Sequence, residues 1–353
     1  MNLKEIIIGG KIIKNYSEPF IIAEIGANHN GSIELAKKMI DIAKEKGADA
    51  VKFQSWSKDS VFSRKVYEDN YFLSDDYRNR TDHSLESIVE AYSLGKKEHE
   101  ILKEHCEKAG IVFSSTPFSE AEVDFLADDL NVEFIKVASM DLNNLPFLEY
   151  IARKGKPIVL STGLSSLAEV DEAINTILSN GNDRIILLHC VSIYPPKAEE
   201  VNLNNIDMLR NLYNFPTGYS DHTMGITAPI LSVAKGSFMI EKHFTLDKDM
   251  EGWDHKVSAD PIELGMMVEE CKKAYRMLGS HARIVNEPQE RKDAFRRSIV
   301  TTRAIEAGEI IKKSDLTFKR PGTGIEPKYI SFIIGKQAKR DLCYDELIKM
   351  EDF

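Results

Sequence analysis

Residues 20–54 read FIIAEIGANHNGSIELAKKMIDIAKEKGADAVKFQ. An apolar run, Phe20 to Ile25, breaks at a glycine and a polar stretch, enters a segment of helical period, stops at Gly47 and returns to a second apolar run, Ala50 to Phe53. Continuous β-branched runs of this kind suit strands buried on both faces, and a helix between two of them makes them parallel. The same unit recurs outward along the chain. Further strands are expected at Ile111–Ser115, Phe134–Ala138, Ile158–Ser161, Ile185–Cys190, Thr217–Ser220 and Phe238–His243. Ser119 with Glu122 and Ser166 with Glu169 have capping-box spacing, and Gly47, Gly110, Gly155, Gly181 and Gly279 sit where helices should stop. Eight alternating units in about 260 residues predict the α/β class and a closed (β/α)8 TIM barrel rather than an open doubly wound sheet.

The flanks are different. Glu5–Ile8, Gly9-Gly10 and Lys11–Lys14 read as an N-terminal β-hairpin placed to plug one end of the barrel. After a last barrel helix at Pro261–Leu278, the polar stretch Ser280–Arg296 reads as a linker. Ser298–Thr302, Glu309–Ile311 and Leu316–Lys319 are short and strand-like, giving a small C-terminal β-rich domain. The expected division is 1–281 barrel with hairpin, 282–296 linker and 297–353 small domain.

Composition narrows the function. The chain has 353 residues, 42% hydrophobic and 29% charged, with a net charge of -10 that argues against general nucleic-acid binding. No apolar run is long enough to span a bilayer, and the N-terminus lacks signal-peptide character. Four widely spaced cysteines form no CxxC pair and suit a reducing compartment, so a cytoplasmic enzyme is expected.

Polar residues follow the strands rather than precede them, which in a barrel gathers them on the C-terminal face where active sites are built. Lys52 and Lys136 stand in apolar strands and need either a carboxylate partner, Glu24 or Asp141, or an anionic ligand. With Thr116, Ser139 and Ser161 they make a plausible cradle for a phosphate plus a carboxylate. His222 and His243 end successive strands and could meet over the mouth to bind one divalent cation, or simply pack. Asp254 and His255 could orient them or hold loops, and Asp221 is read as a loop residue. Glu24 is placed for acid/base work or for pairing with Lys52.

These strand ends carry a resemblance. Ala23–Gly31, Val51–Gln54, Ser115–Phe118, Leu160–Gly163, Leu188–Cys190 through Tyr194-Pro195, Gly218–His222 and Ile240–Thr245 resemble the sialic acid synthase family, and Lys319–Gly324 resembles its C-terminal antifreeze-like (SAF) domain. The resemblance implies condensation of phosphoenolpyruvate with an N-acetylmannosamine-type aldehyde to a nine-carbon sugar acid and phosphate. It implies Mn2+ or Mg2+ on His222 and His243, and proton transfer by Glu24. Phosphoenolpyruvate would lie on Lys52, Thr116, Lys136, Ser139 and Ser161, with Gln54 and Ser192 also in the substrate site and Phe118 and Tyr194 shaping it. A domain-swapped homodimer would bring Arg320 to the sugar's acyl group in the neighbouring subunit.

Two departures stand out. Ser139-Met140-Asp141-Leu142-Asn143-Asn144 replaces Ser-Gly-Glu-Cys-Asn-Asn of N-acetylneuraminate synthases, with Asp141 the shorter candidate catalytic carboxylate, and Ser192 stands where an asparagine is usual. Both point to a diacetamido-deoxy hexose, leading to legionaminic or pseudaminic acid, as the alternative acceptor. A Schiff-base aldolase using Lys136 or Lys52, and a non-catalytic carbohydrate-binding protein, are the competing readings.

Overall fold

The computed structural model describes residues 6–69, 84–280 and 282–353; Glu5, counted above with the hairpin, and the barrel boundary at 281 lie outside them. The chain divides into two compact units, Met1–Gly279 and Ser280–Phe353.

The first unit begins with the hairpin β1 (Ile6–Ile8) and β2 (Lys11–Ile13), paired antiparallel around Gly9-Gly10, both at positive φ. Eight parallel strands follow: β3 (Phe20–Gly26), β4 (Ala50–Ser55), β5 (Val112–Pro117), β6 (Ile135–Val137), β7 (Ile158–Ser161), β8 (Ile185–Cys190), β9 (Thr217–Asp221) and β10 (Met239–His243). Each sits where an apolar run predicted it. Their order, β5-β4-β3-β10-β9-β8-β7-β6, brings the last strand back against the first and makes a nearly closed barrel. At the seam between β5 and β6 the Ser114 hydroxyl donates to the Phe134 carbonyl at 3.1 Å.

Strand residues alternate between the barrel interior and the helix-covered exterior. Ile21, Ala23, Val51, Ile135, Leu160, Leu187 and Ile240 pack outward with the helices. Phe20, Ile22, Ala50, Phe134, Val159, Ile186, Leu188 and Met239 fill the lower interior, and Ile6, Ile8 and Ile13 of the hairpin close it from below. The hairpin is therefore the expected plug. One step higher on the same inward rows the residues turn polar.

Local expectations fared unevenly. Ser166 and Glu169 form the capping box. Ser119 caps its helix, but Glu122 accepts from Phe118 N–H at 2.7 Å and from Ser60 Oγ, because the chain leaving β5 presents the Phe118 amide first. Among the described residues no helix is long and apolar enough to cross a membrane.

In the second unit a helix, Gln289–Phe295, occupies part of the stretch read as linker. Strands β11 (Ser298–Thr301) and β12 (Leu316–Lys319) pair antiparallel over a core including Ile299, Ile305, Ile311, Ile333 and Ile348. Glu309–Ile311, expected as a strand, makes only an isolated bridge, Ile310 to Gln337. Two backbone bonds make that bridge, Ile311 N–H to the Lys336 carbonyl and Ala338 N–H to the Glu309 carbonyl.

Candidate active site

The polar layer starts with strand register. β3 and β4 align Glu24 with Lys52, and β10 aligns His243 with Glu24. Lys52 Nζ lies 2.8 Å from Glu24 Oε2 and donates to Thr116 Oγ1 at 2.9 Å. The register of β3 against β4 shifts between Glu24 and Gly26, and Gly26 takes positive φ. This bulge lets the Gln54 amide donate to Glu24 Oε1 at 3.2 Å. Burial raises the Glu24 pKa to about 7 against the pull of Lys52, with Glu241 adding to the rise. The pairing anticipated for Lys52 is present, and so is its place in a cluster facing the mouth.

The second lysine stands on β6, two strands round the barrel from Lys52. Lys136 Nζ is 3.6 Å from Glu241 Oε1 and donates only to the Val137 carbonyl, at 3.2 Å. Its partner is Glu241, not Glu24 or Asp141. Burial lowers the Lys136 pKa, partly offset by Glu241. Glu241 Oε1 accepts from Ser220 Oγ at 3.1 Å, while its Oε2 and Ser161 Oγ are buried without a hydrogen-bond partner among the described residues; Glu24 Oε2 is held by Lys52. A layer of buried charges with unused hydrogen-bonding capacity is costly to fold and suited to bind.

Three loops meet beside it at Gly163. Its N–H donates to Ser139 Oγ at 3.2 Å, and a Cβ there would stand 2.5 Å from Ser192 Oγ and 2.7 Å from Ser139 Oγ. Only glycine leaves both hydroxyls in place. From this point a cavity of about 560 Å³ opens past Cys190, Ser192, Ile193 and Met208. Asp141 ends the short turn Ser139–Asp141, with its Oδ2 buried and unpartnered and its pKa raised by burial.

The histidines also converge. The His222 and His243 rings are 5.5 Å apart, and Tyr194 stacks on His222 at 4.0 Å. His222 Nδ1 donates to the Val191 carbonyl at 2.8 Å, so the neutral ring presents the Nε2 lone pair; burial would lower the His222 pKa, but Cys190 and the Val191 carbonyl raise it, so a cation there would displace a proton. Burial, then the neighbouring His222, holds the His243 pKa well below its ordinary value, so that ring is neutral as a ligand must be. Asp254 Oδ2 stands 3.7 Å from His243 Nδ1. The pair fits a divalent cation with several positions left open; among the described residues no set of three or more His, Cys, Asp or Glu is arranged to hold one.

Other polar residues prove architectural. His255 binds Thr245 Oγ1 at 2.6 Å and Asn30 Oδ1 at 3.2 Å, and Asn28 donates to the Phe244 carbonyl and Ser258 Oγ, both at 2.9 Å. This network fastens the loop after β10 to the loop after β3. Gly31 lies so close to the Ala91 carbonyl that any Cβ would collide with it. Asp221 accepts from Lys242, Tyr219 and the Thr223 amide, which is the loop role expected of it.

Phe118 follows β5 and lies 5.8 Å from the ring of Trp56. Arg320 lies in the second unit, its guanidinium 4.9 Å from the Phe295 ring centroid. Glu241, Gly163 and Trp56 were not assigned roles from sequence. Alternation along β10 would have found Glu241, since it shares its face with His243.

Residues 39–283 match the NeuB family and residues 296–353 match the SAF domain. An N,N'-diacetyllegionaminic acid synthase from Campylobacter jejuni is 40% identical over 332 residues, covering 93% of this chain and 98% of its own length. A pseudaminic acid synthase from the same species is 34% identical over 334 residues, covering 95% and 96%. The crystal structure of an N-acetylneuraminic acid (sialic acid) synthetase from Leptospira borgpetersenii, in complex with citrate, is similar with a TM-score of 0.72 and 36% identity, over 82% of this chain and 94% of that one.

Proposed function

The chain belongs to the NeuB family and is a synthase of the nonulosonic-acid type, and from that premise we propose that it condenses phosphoenolpyruvate with an N-acetylated amino-sugar aldehyde and water, releasing phosphate, at the polar mouth of the barrel. The observation that carries the reading is the pair of buried lysines over an apolar floor, Lys52 beside Glu24, and Lys136 standing 3.6 Å from Glu241 and donating, among the described residues, only to the Val137 carbonyl. A small ligand with two anionic groups supplies acceptors for the ammonium protons that Lys52 and Lys136 leave unused.

Lys52 and Lys136 would take the carboxylate and phosphate, with Thr116, Ser139, Ser161 and Ser192 donating hydroxyls. C3 of phosphoenolpyruvate bonds to the aldehyde carbon, water adds at C2, and the C2–O bond to phosphate breaks. Glu24, protonated up to about pH 7, is suited to exchange a proton at that water. Gln54 holds Glu24 from the side, and Asp141 offers a second carboxyl near the serines. Phe118 and Tyr194 shape the site. His222 and His243 would hold Mn2+ or Mg2+, which when bound supplies Lewis acidity toward the aldehyde oxygen. A domain-swapped homodimer, with Arg320 serving the neighbouring subunit, and a cytoplasmic location belong to the same reading. Four free cysteines, three of them buried, suit such a reducing compartment.

The test is phosphate release from phosphoenolpyruvate with Mn2+, run with N-acetylmannosamine and with diacetamido hexoses, each with and without EDTA. Release that one sugar elicits and EDTA abolishes supports the reading. No release with any of them sinks it, and borohydride trapping of Lys136 with a keto acid would point to the Schiff-base alternative instead.

A further inference from the structure

The mouth has two unlike sides. Serines and Gly163 line the β6–β8 side, whereas aromatic rings gather above β4, β5 and β10. Trp56 directly follows β4, Phe118 directly follows β5, and Trp253 lies in the loop after β10. Trp56 is 5.8 Å from Phe118 and 6.0 Å from Trp253, and Tyr92 stands edge-on to Trp253 at 6.0 Å. The Asn30–His255 network described above fixes the loop that carries Trp253.

Both indoles are half-buried, yet neither Nε1 reaches solvent and neither donates a hydrogen bond. A buried N–H without an acceptor destabilises the fold unless a ligand supplies one. The edge-on contact between the two indoles can engage one N–H with a ring face and not both. The nearby rim is acidic: Lys58 is held by Glu86 and Glu90, on the helix that ends at Tyr92, and Glu122 holds the Phe118 amide. An aromatic wall with two idle donors and an acidic rim favours a neutral ligand carrying two carbonyl acceptors and apolar methyl groups.

We propose that Trp56 and Trp253, backed by Phe118 and Tyr92, form the acceptor-sugar subsite and select a hexose with two acetamido groups over one with a single acetamido group or a phosphate. This rests on the condensation reading given above. Each acetamido carbonyl takes one indole N–H, and the methyl groups pack on the rings. Because the Nε1 atoms are shielded, the indoles must turn to meet the sugar. Binding therefore changes their surroundings.

The chain has two tryptophans, so intrinsic fluorescence reports this wall alone. The full chain is titrated with a 2,4-diacetamido-trideoxyhexose and with N-acetylmannosamine, each with and without phosphoenolpyruvate. The expected result is an emission shift that saturates with the diacetamido sugar and is absent with phosphoenolpyruvate alone. Trp56→Phe and Trp253→Phe, which keep a ring and remove the donor, should each raise the KM for the diacetamido sugar about tenfold, the worth of one hydrogen bond. The KM for phosphoenolpyruvate should stay unchanged and the preference over N-acetylmannosamine should narrow. An emission that no sugar alters, or a KM rise shared equally by both substrates or both sugars, would overturn the proposal. Absence of phosphate release with every sugar would end the condensation reading, and the fluorescence titration would then still decide the wall by the same shift.

Discussion

Glu241 and Lys242 are neighbours in the chain, yet their side chains enter opposite faces of the barrel wall and meet opposite treatment. Outside, Lys242 Nζ binds Asp221 Oδ2 at 2.5 Å and the Thr223 carbonyl at 2.7 Å, while Asp221 Oδ1 accepts from Tyr219 and Thr223. Every charge there has its partners. Inside, Glu241 and Lys136 stand 3.6 Å apart, Glu241 Oε2 and Ser161 Oγ have no hydrogen-bond partner among the described residues, and Lys136 donates there only to the Val137 carbonyl. Burial is equal in the two places, so burial does not distinguish a structural ion pair from a binding one. Saturation does: a closed network holds a fold, and an open one waits for a ligand.

Replacing the inner lysine gives the largest effect on turnover. Lys136→Met should lower kcat/KM for phosphoenolpyruvate by about 10²–10³-fold, as loss of one directed charged donor does, with a modest change in thermal midpoint. Lys242→Met should do the reverse. It strands Asp221 as a buried carboxylate and should cost about 3–5 kcal/mol in urea unfolding, while activity per folded molecule survives. The double variant with Asp221→Asn should recover part of that loss. If Lys242→Met instead abolished activity in folded protein, the contrast between the two faces would be broken.

Titration sharpens the same contrast. Glu24 keeps its proton to about pH 7 when folded and to 4.5 in an ordinary setting, so between these values the folded chain holds more protons than the unfolded one. Stability from this group is fully present below pH 4.5 and is lost as pH rises through 7, by an amount on the order of 3 kcal/mol. Glu24→Gln should flatten that fall, measured by urea unfolding at pH 5 and pH 8. An unchanged slope would mean that Glu24 is not the inner group that titrates.

How much of this was legible in the sequence follows from what each signal depends on. Strands β3 to β10 announced themselves because doubly buried strands are continuous apolar runs, and Lys52 and Lys136 stood out against them. Partner choice was not legible: Lys136 was expected near Glu24 or Asp141 and meets Glu241, since that choice depends on how strands six and ten face each other across the barrel. Lys242 and Glu241 read alike until the alternation of β10 is applied. The Trp56–Trp253 wall joins residues almost two hundred positions apart, and nothing local to either predicts it. Glu309–Ile311 fell short of a strand for a related reason, because it pairs through a single bridge to Gln337 while the Ile311 side chain fills the small domain's core.

The smallest expected effect falls at Gly163, where the serine side of the mouth is set. Its φ is not in the left-handed region, so alanine is conformationally tolerated there and any consequence comes from space alone. The new methyl would meet Ser192 Oγ at 2.5 Å and Ser139 Oγ at 2.7 Å, and both hydroxyls belong to rotatable side chains that can move aside. Gly163→Ala should therefore leave the thermal midpoint nearly unchanged and raise the KM for phosphoenolpyruvate about tenfold, roughly one hydrogen bond's worth, without altering the KM for the sugar. A rise in sugar KM instead would exchange the two sides of the mouth, placing the acceptor over the serines and the phosphate against the aromatic wall.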